Sequence, residues 1–415
     1  MKKELFVIDN KTMCLFPWTH MYVHTTGDVF PCCIALPGHK EFSLGNVKTQ
    51  SIEEIWNGEP YKKLRKDMVE GKNVDMCNQC YAREHTEGRN YRHGSFEMFN
   101  NDIDNIVQNT NEDFSVKSID IKYFDIRFSN ICSFKCRYCS EEFSTTWAAE
   151  NRKRGINKDL PSYIHVSDEN PVFMEQLKKH MNGVEHMYFA GGEPLMTDEH
   201  YEILQTLIDN NKTDVQLRYS SNCSIVQFKK YDVAKMWSNF DKVDFRASLD
   251  SFGTRAEYMR KGTDWGTIVS NILYIKEAAP NVEISINCVV SAYNILTITE
   301  FLQHLHDVGI LSWLDTRIVL YPISSDFSLD ANALPPSLKR IAKKKIEDFI
   351  LTLPKYSKVI SDLEIIKNYI NDEEVDVKHW KNFKLFNKDL DTIRRENFTE
   401  IFPELASWYE SITPT

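Results

Sequence analysis

Long apolar runs are missing from this 415-residue chain. The longest uncharged stretch, residues 284–299, has 16 residues and includes Asn, Ser and Thr. That is too short and too polar to span a bilayer, which takes about 20 apolar residues, so no membrane partner is expected. An excess of positive charge is missing too. Lys and Arg number 50 against 60 Asp and Glu, for a net charge of −10 and a pI near 5.7. An acidic chain is a poor general binder of phosphate backbones, which disfavours nucleic acid. The opening residues carry two lysines and a short apolar run before Asp9, not the pattern of a secretory signal. A cytoplasmic protein is expected. No repeat of fixed period and no low-complexity tract occurs. With 42% hydrophobic and 27% charged residues, the composition is that of an ordinary globular protein, not of collagen or a disordered chain. At about one domain per 150 residues, the length suggests two or three domains.

Cysteines are plentiful, ten in all, and they are clustered. Cys14, Cys32, Cys33, Cys77 and Cys80 lie in the first 80 residues; Cys132, Cys136 and Cys139 form a tight group; Cys223 and Cys288 stand alone. In a reducing compartment such clusters read as metal-binding or catalytic thiolates, not as disulfides.

The chain changes character along its length. Residues 1–100 are rich in turns, aromatics and cysteine. A polar stretch follows, and residues 101–117 read as a linker. From about residue 118, strand-like runs (119–128, 186–190, 215–219, 243–249, 282–290 and 316–320) alternate with helical segments such as 200–210, 267–279 and 296–308. Such alternation predicts parallel βαβ units, six of them over residues 118–328. After residue 330 the strands stop, and residues 329–415 read as a helical region.

The segment Asp125 to Cys139 carries the strongest signal. Its cysteines follow the spacing Cys-x3-Cys-x2-Cys, with Tyr138 just before the last, directly after the first strand. Three thiolates can hold three corners of a [4Fe–4S] cube and leave the fourth iron open. The bland alternative is a structural zinc site, which three cysteines in eight residues fit poorly.

This loop resembles that of the radical S-adenosylmethionine (SAM) superfamily. Gly191-Gly192-Glu193-Pro194, at the end of the second strand, resembles that family's Gly-Gly-Glu-Pro motif. Asn222 sits where the family often has Thr-Asn-Gly, with Cys223 replacing the glycine. Ser248 and Asp250 resemble its Ser-Leu-Asp-Gly element, with Ser251 replacing the glycine and Tyr258 to Gly262 as the downstream partner. The resemblance implies an α/β fold, a partial (β/α)6 TIM-like barrel. It also implies S-adenosyl-L-methionine and a [4Fe–4S] cluster with an open site on Cys132, Cys136 and Cys139. Tyr138, Gly191, Gly192, Glu193, Pro194, Asn222, Ser248 and Asp250 become cofactor-binding candidates. The implied activity is reductive cleavage of SAM to a 5′-deoxyadenosyl radical that abstracts hydrogen from a substrate, with a flavodoxin- or ferredoxin-like electron donor.

The pattern Cys14-x12-Gly27-x4-Cys32, followed by Cys77-x2-Cys80, resembles half of a SPASM domain, the twitch form. That resemblance implies an auxiliary [4Fe–4S] cluster on Cys14, Cys32, Cys77 and Cys80, here ahead of the barrel. A four-cysteine zinc ribbon stays open as the alternative; His20, His24, His85 and His93 lie near in sequence. In the sulfatase-maturing relatives an aspartate base follows the second cysteine; here Cys33 stands there. Lys135 and Arg137 flank the cluster loop and are expected as solvated or helix-side charges, with a docking patch for an acidic electron carrier as the alternative. Cys288 is expected in the core. The substrate expected is a peptide or protein side chain. The alternatives are a dehydrogenase or rearrangement enzyme acting on a small molecule, or a zinc-stabilised binding protein without catalysis.

Overall fold

The computed structural model describes residues 3–35, 40–87, 90–157, 161–323, 328–371 and 377–412. The chain is α/β with mainly parallel strands. Its strands are β1 (His20–Val23), β2 (Val29–Phe30), β3 (Tyr123–Ile126), β4 (Lys135–Cys136), β5 (His186–Phe189), β6 (Gln216–Ser221), β7 (Gln227–Phe228), β8 (Tyr231–Asp232), β9 (Val243–Ser248), β10 (Arg260–Lys261), β11 (Val282–Val290) and β12 (Arg317–Pro322). The six expected barrel strands are β3, β5, β6, β9, β11 and β12. Among the described residues after 330 only helices occur, the longest being Val377–Arg394.

Two compact units divide the chain: 1–132 with 141–219 and 239–243, and 133–140 with 220–238 and 244–415. In the first, the strand order is β6-β5-β3-β1-β2. β1 runs parallel to β3, so the cysteine-rich N-terminal region adds a strand to the barrel sheet and does not stand apart. The stretch 101–117, expected as a linker, holds the helix Ile103–Asn109, which buries Ile103 and Ile106. Its polar residues mask two apolar positions three apart, enough for one helical face.

Alternation builds the sheet. In β9, Val243, Phe245 and Ala247 are buried while Asp244, Arg246 and Ser248 are half-buried; β6 alternates in the same way. One face therefore packs apolar side chains and the other is polar. In the first unit a polar row crosses four strands in register: Tyr22 beside Asp125, Asp125 beside Tyr188, and Tyr188 beside Arg218. In the second unit the order is β12-β11-β9, with β11 and β12 parallel. Cys288, on β11, is fully buried, as its apolar setting predicts.

Candidate active site

In the first unit, β3 leads through Arg127 and Asn130 to Cys132. The Arg127 guanidinium contacts the Asp125 carboxylate and lies 4.8 Å and 5.0 Å from the ring centres of Tyr22 and Tyr188. The segment before Cys132 is fastened to the Gly-Gly-Glu-Pro turn by backbone hydrogen bonds, Gly192 N–H to Ser129 O (3.2 Å) and Glu193 N–H to Ile131 O (2.6 Å). A Cβ on Gly192 would fall 2.1 Å from the Ile131 oxygen, so only glycine permits this approach. Glu193 is buried and caps the turn Pro194–Met196 through the Leu195 N–H (3.3 Å). Cys132 exchanges backbone hydrogen bonds with the Thr145 hydroxyl, at 3.4 Å each way.

The loop 133–140 belongs to the second unit. β4 pairs antiparallel with β10, setting Cys136 opposite Arg260. Cys139 N–H donates to Cys136 O (3.0 Å), folding the last two thiols into one turn. Burial pushes the Cys136 thiol up, and it pushes Cys139 up to about 12, helped by Cys136. Without a metal both sulfurs are protonated, so binding one releases their protons.

Asp250 anchors the loop through Tyr138. It is buried, and its carboxylate accepts from the Tyr138 hydroxyl, the Arg260 guanidinium and the Val289 N–H (2.6 Å). Tyr138 and Asp250, both expected at the cofactor, thus meet each other. Asn222 reaches Ser133 Oγ (3.3 Å) and accepts from Ser224 N–H (2.8 Å). Ser248 sits half-buried at the end of β9. Cys223 has φ +62°, the left-handed conformation that a glycine would supply.

Arg137 corrects an expectation: it is buried, not solvated. Its guanidinium lies 2.6 Å from Asp391 and 2.6 Å from Glu396, and 3.5 Å from the Tyr258 ring centre. The carboxylates that hold it come from residues beyond 385, where no motif pointed to them. Lys135 is half-buried.

The N-terminal thiols of Cys14, Cys32, Cys77 and Cys80 line one cavity in the first unit, with Tyr81 and Tyr91 on its wall. Gly27 (φ +85°) turns the chain between β1 and β2, and so returns Cys32 to the neighbourhood of Cys14. Burial raises all four thiols, Cys14 to about 11, and the nearby sulfurs raise Cys14, Cys32 and Cys77 further. Among the described residues no three His, Cys, Asp or Glu converge tightly enough to hold a single metal ion. Four thiols lining one cavity are the donor set that a fully ligated iron–sulfur cluster takes. His20 and His24 are buried elsewhere, His20 bonding Pro31 O (2.7 Å) and His24 bonding Thr26 (3.0 Å). The side chain of His85 lies outside the described residues. His93 bonds Asn90 (2.7 Å). Cys33 is half-buried, and Tyr91 is in hydrogen-bond contact with it.

Sequence models of two families match the chain. The Radical SAM superfamily model matches residues 126–307. The chain carries a radical SAM domain. The SPASM iron–sulfur cluster-binding domain matches residues 14–81, so both expected parts are matched. The first domain implies SAM and a [4Fe–4S] cluster, the second a further iron–sulfur cluster. No curated protein matches the sequence. Solved structures with similar folds include native anSMEcpe with bound AdoMet (17% identity, 55% of this chain and 59% of that one, TM-score 0.39). SuiB of Streptococcus suis bound to S-adenosylmethionine is another (13%, 69% and 62%, 0.36), as is a spore photoproduct lyase with bound AdoMet and dinucleoside spore photoproduct (14%, 53% and 60%, 0.33). The chain spans about three fifths of the length of these proteins. Among the described residues no helix is long and apolar enough to cross a membrane.

Proposed function

We infer that Cys132, Cys136 and Cys139 hold the [4Fe–4S] cluster that binds SAM, and that the chain generates a 5′-deoxyadenosyl radical to abstract hydrogen from a substrate. The observation that carries this reading is the fastening of the Gly191–Gly192 turn to Ser129–Ile131, the backbone leading into Cys132. The cluster, when bound, supplies the electron that cleaves the sulfonium. The protein's own residues do the rest. Gly191 and Gly192 let the turn that receives the methionine part of SAM close onto Ser129–Ile131, and Glu193 and Pro194 fix that turn. Tyr138 and Asp250 hold the loop through their mutual hydrogen bond, while Asn222, just after β6, and Ser248, at the end of β9, are polar groups for the cofactor.

Cys14, Cys32, Cys77 and Cys80 hold an auxiliary [4Fe–4S] cluster. With four thiolates it has no open iron and serves electron transfer. The domain division follows: a twitch-like region over 1–100, a connection over 101–117, the barrel over 118–328 and a helical region over 329–415. A peptide or protein side chain is the substrate favoured by the twitch arrangement. The polar row Tyr22, Asp125, Tyr188 and Arg218 supplies hydrogen bonds and charge for a polar group on it. A flavodoxin- or ferredoxin-like protein supplies electrons in the cytoplasm. Replacing Cys132, Cys136 and Cys139 by Ala tests the core of this reading. Reductive formation of 5′-deoxyadenosine is lost; its persistence at the wild-type rate contradicts the assignment.

A further inference from the structure

The helix Val377–Arg394 has an unusual buried stripe. Phe383, Asn387, Leu390 and Arg394 are its buried residues, spaced four, three and four apart along one face. An ordinary amphipathic helix fills such a stripe with apolar side chains. Here two of the four are polar, and Asp391 lies beside them.

Asn387 and Asp391, with Glu396 just past the helix end, converge on Arg137, 250 residues or more away in sequence. Arg137 Nη1 donates to Asn387 Oδ1 (3.0 Å), and Nη2 donates to Asp391 Oδ1 (2.6 Å) and Glu396 Oε2 (2.6 Å). Nε donates to Tyr258 O (3.2 Å), and the Arg137 backbone N–H donates to Met259 O (2.8 Å). Every part of the guanidinium fork is used. The surroundings are fixed as well: Tyr293 donates to Asn387 Oδ1 (2.8 Å), Tyr258 to Asp391 Oδ1 (2.8 Å), and Phe398 N–H to Asp391 Oδ2 (2.9 Å). Lys261, partly exposed, also pairs with Glu396 (2.9 Å).

Arg137 lies between Cys136 and Cys139. With its backbone bonded to Met259 and its side chain held on Tyr258, Asn387, Asp391 and Glu396, Arg137 fixes the stretch of chain between these two cysteines. We propose that Arg137 is a positioning residue for the cluster loop, and that the C-terminal helical region, through Asn387, Asp391 and Glu396, is a brace that holds the loop ready for the cluster before it binds. The proposal rests on the radical SAM reading above and gives the last stretch of the chain a role.

The test uses the full chain and three variants: Arg137→Gln, the isosteric Asp391→Asn, and the control Glu404→Gln. The control breaks a different ion pair of the same region, Arg255 to Glu404 (2.9 Å), which includes no loop residue. In the metal-free protein, amide exchange over residues 133–140 is expected to speed up about tenfold or more in Arg137→Gln and Asp391→Asn, with β11 unchanged and the control like wild type. After anaerobic reconstitution, both variants are expected to fall from about eight irons to about four and to lose the spectral response of the reduced cluster to SAM. If Arg137→Gln does not fold, Asp391→Asn decides. Wild-type exchange and iron in Asp391→Asn overturn the brace, as does an equal loss in Glu404→Gln. A wild-type protein that itself ignores SAM contradicts the underlying reading, while the exchange comparison still judges the brace.

Discussion

The Arg260 guanidinium lies 3.8 Å from the Cys136 sulfur while it also pairs with the buried Asp250 carboxylate. With Cys136 as a ligand, as proposed, a cation beside it stabilises the reduced, more negative cluster. At an effective dielectric of about 20 to 40, one charge at roughly 5 Å is worth on the order of 2 kcal/mol, or ~90 mV for one electron. Replacing Arg260 by Met should therefore move the cluster's midpoint potential downward by that order. Replacing Asp250 by Asn should move it upward. Redox titration followed by electron paramagnetic resonance checks both signs, and equal shifts in one direction would exclude this electrostatic account.

Gly192 is limited by space, since an added methyl would meet the Ile131 carbonyl at 2.1 Å. Gly192→Ala should push the turn away from the segment before Cys132. Overpacking of this kind costs about 1–3 kcal/mol. The expected result is a folded protein with a lower melting temperature and at least tenfold weaker SAM binding, measured by calorimetry. Wild-type affinity would show that the close approach does not matter for the cofactor.

Acid should destabilise the first unit before it affects the clusters. His20 and His200 are buried, and burial pushes each down to about 3. Their folded values lie below the unfolded one, so their contribution is present above about pH 6.5 and is lost as pH falls toward 3. Between pH 6.5 and 4.5 each removes up to roughly 2.5 kcal/mol. His200→Phe should flatten the fall of melting temperature over this range. Tyr219, which shares a 3.0 Å hydrogen bond with His200, should be changed to Phe in the same variant.

How much of this was legible in the sequence varies by element. All six barrel strands could be read, because β-branched and aromatic residues alternate with polar ones there and the helices between them carry a different period. The loop cysteines and Gly191–Pro194 were legible because their spacing is local. The burial of Arg137 was not. Its partners Asn387, Asp391 and Glu396 look like ordinary helix-surface residues, and only the fold brings them across 250 residues to the loop. The one available signal was the run Phe383, Asn387, Leu390 and Arg394, whose helical spacing puts polar residues on a face that also holds Phe and Leu. The helix Ile103–Asn109 was missed because its apolar face is only two residues wide. Tyr138 and Asp250 were legible as a pair of candidates but not as each other's partners.

The N-terminal thiols make a separate prediction. Replacing Cys77 and Cys80 by Ala should leave SAM binding intact and reduce iron from about eight to about four per chain. Iron analysis and SAM titration of the anaerobic protein check it. Unchanged iron would remove the auxiliary cluster, and a stoichiometric zinc ion in the wild type would replace it with a structural metal.

The most direct test of the account is the electron paramagnetic resonance spectrum of the reduced, anaerobic Cys77→Ala/Cys80→Ala protein before and after SAM. The proposed assignment of an open-site cluster to Cys132, Cys136 and Cys139 predicts a clear change in the signal when SAM is added. A spectrum that stays the same at saturating SAM would contradict it.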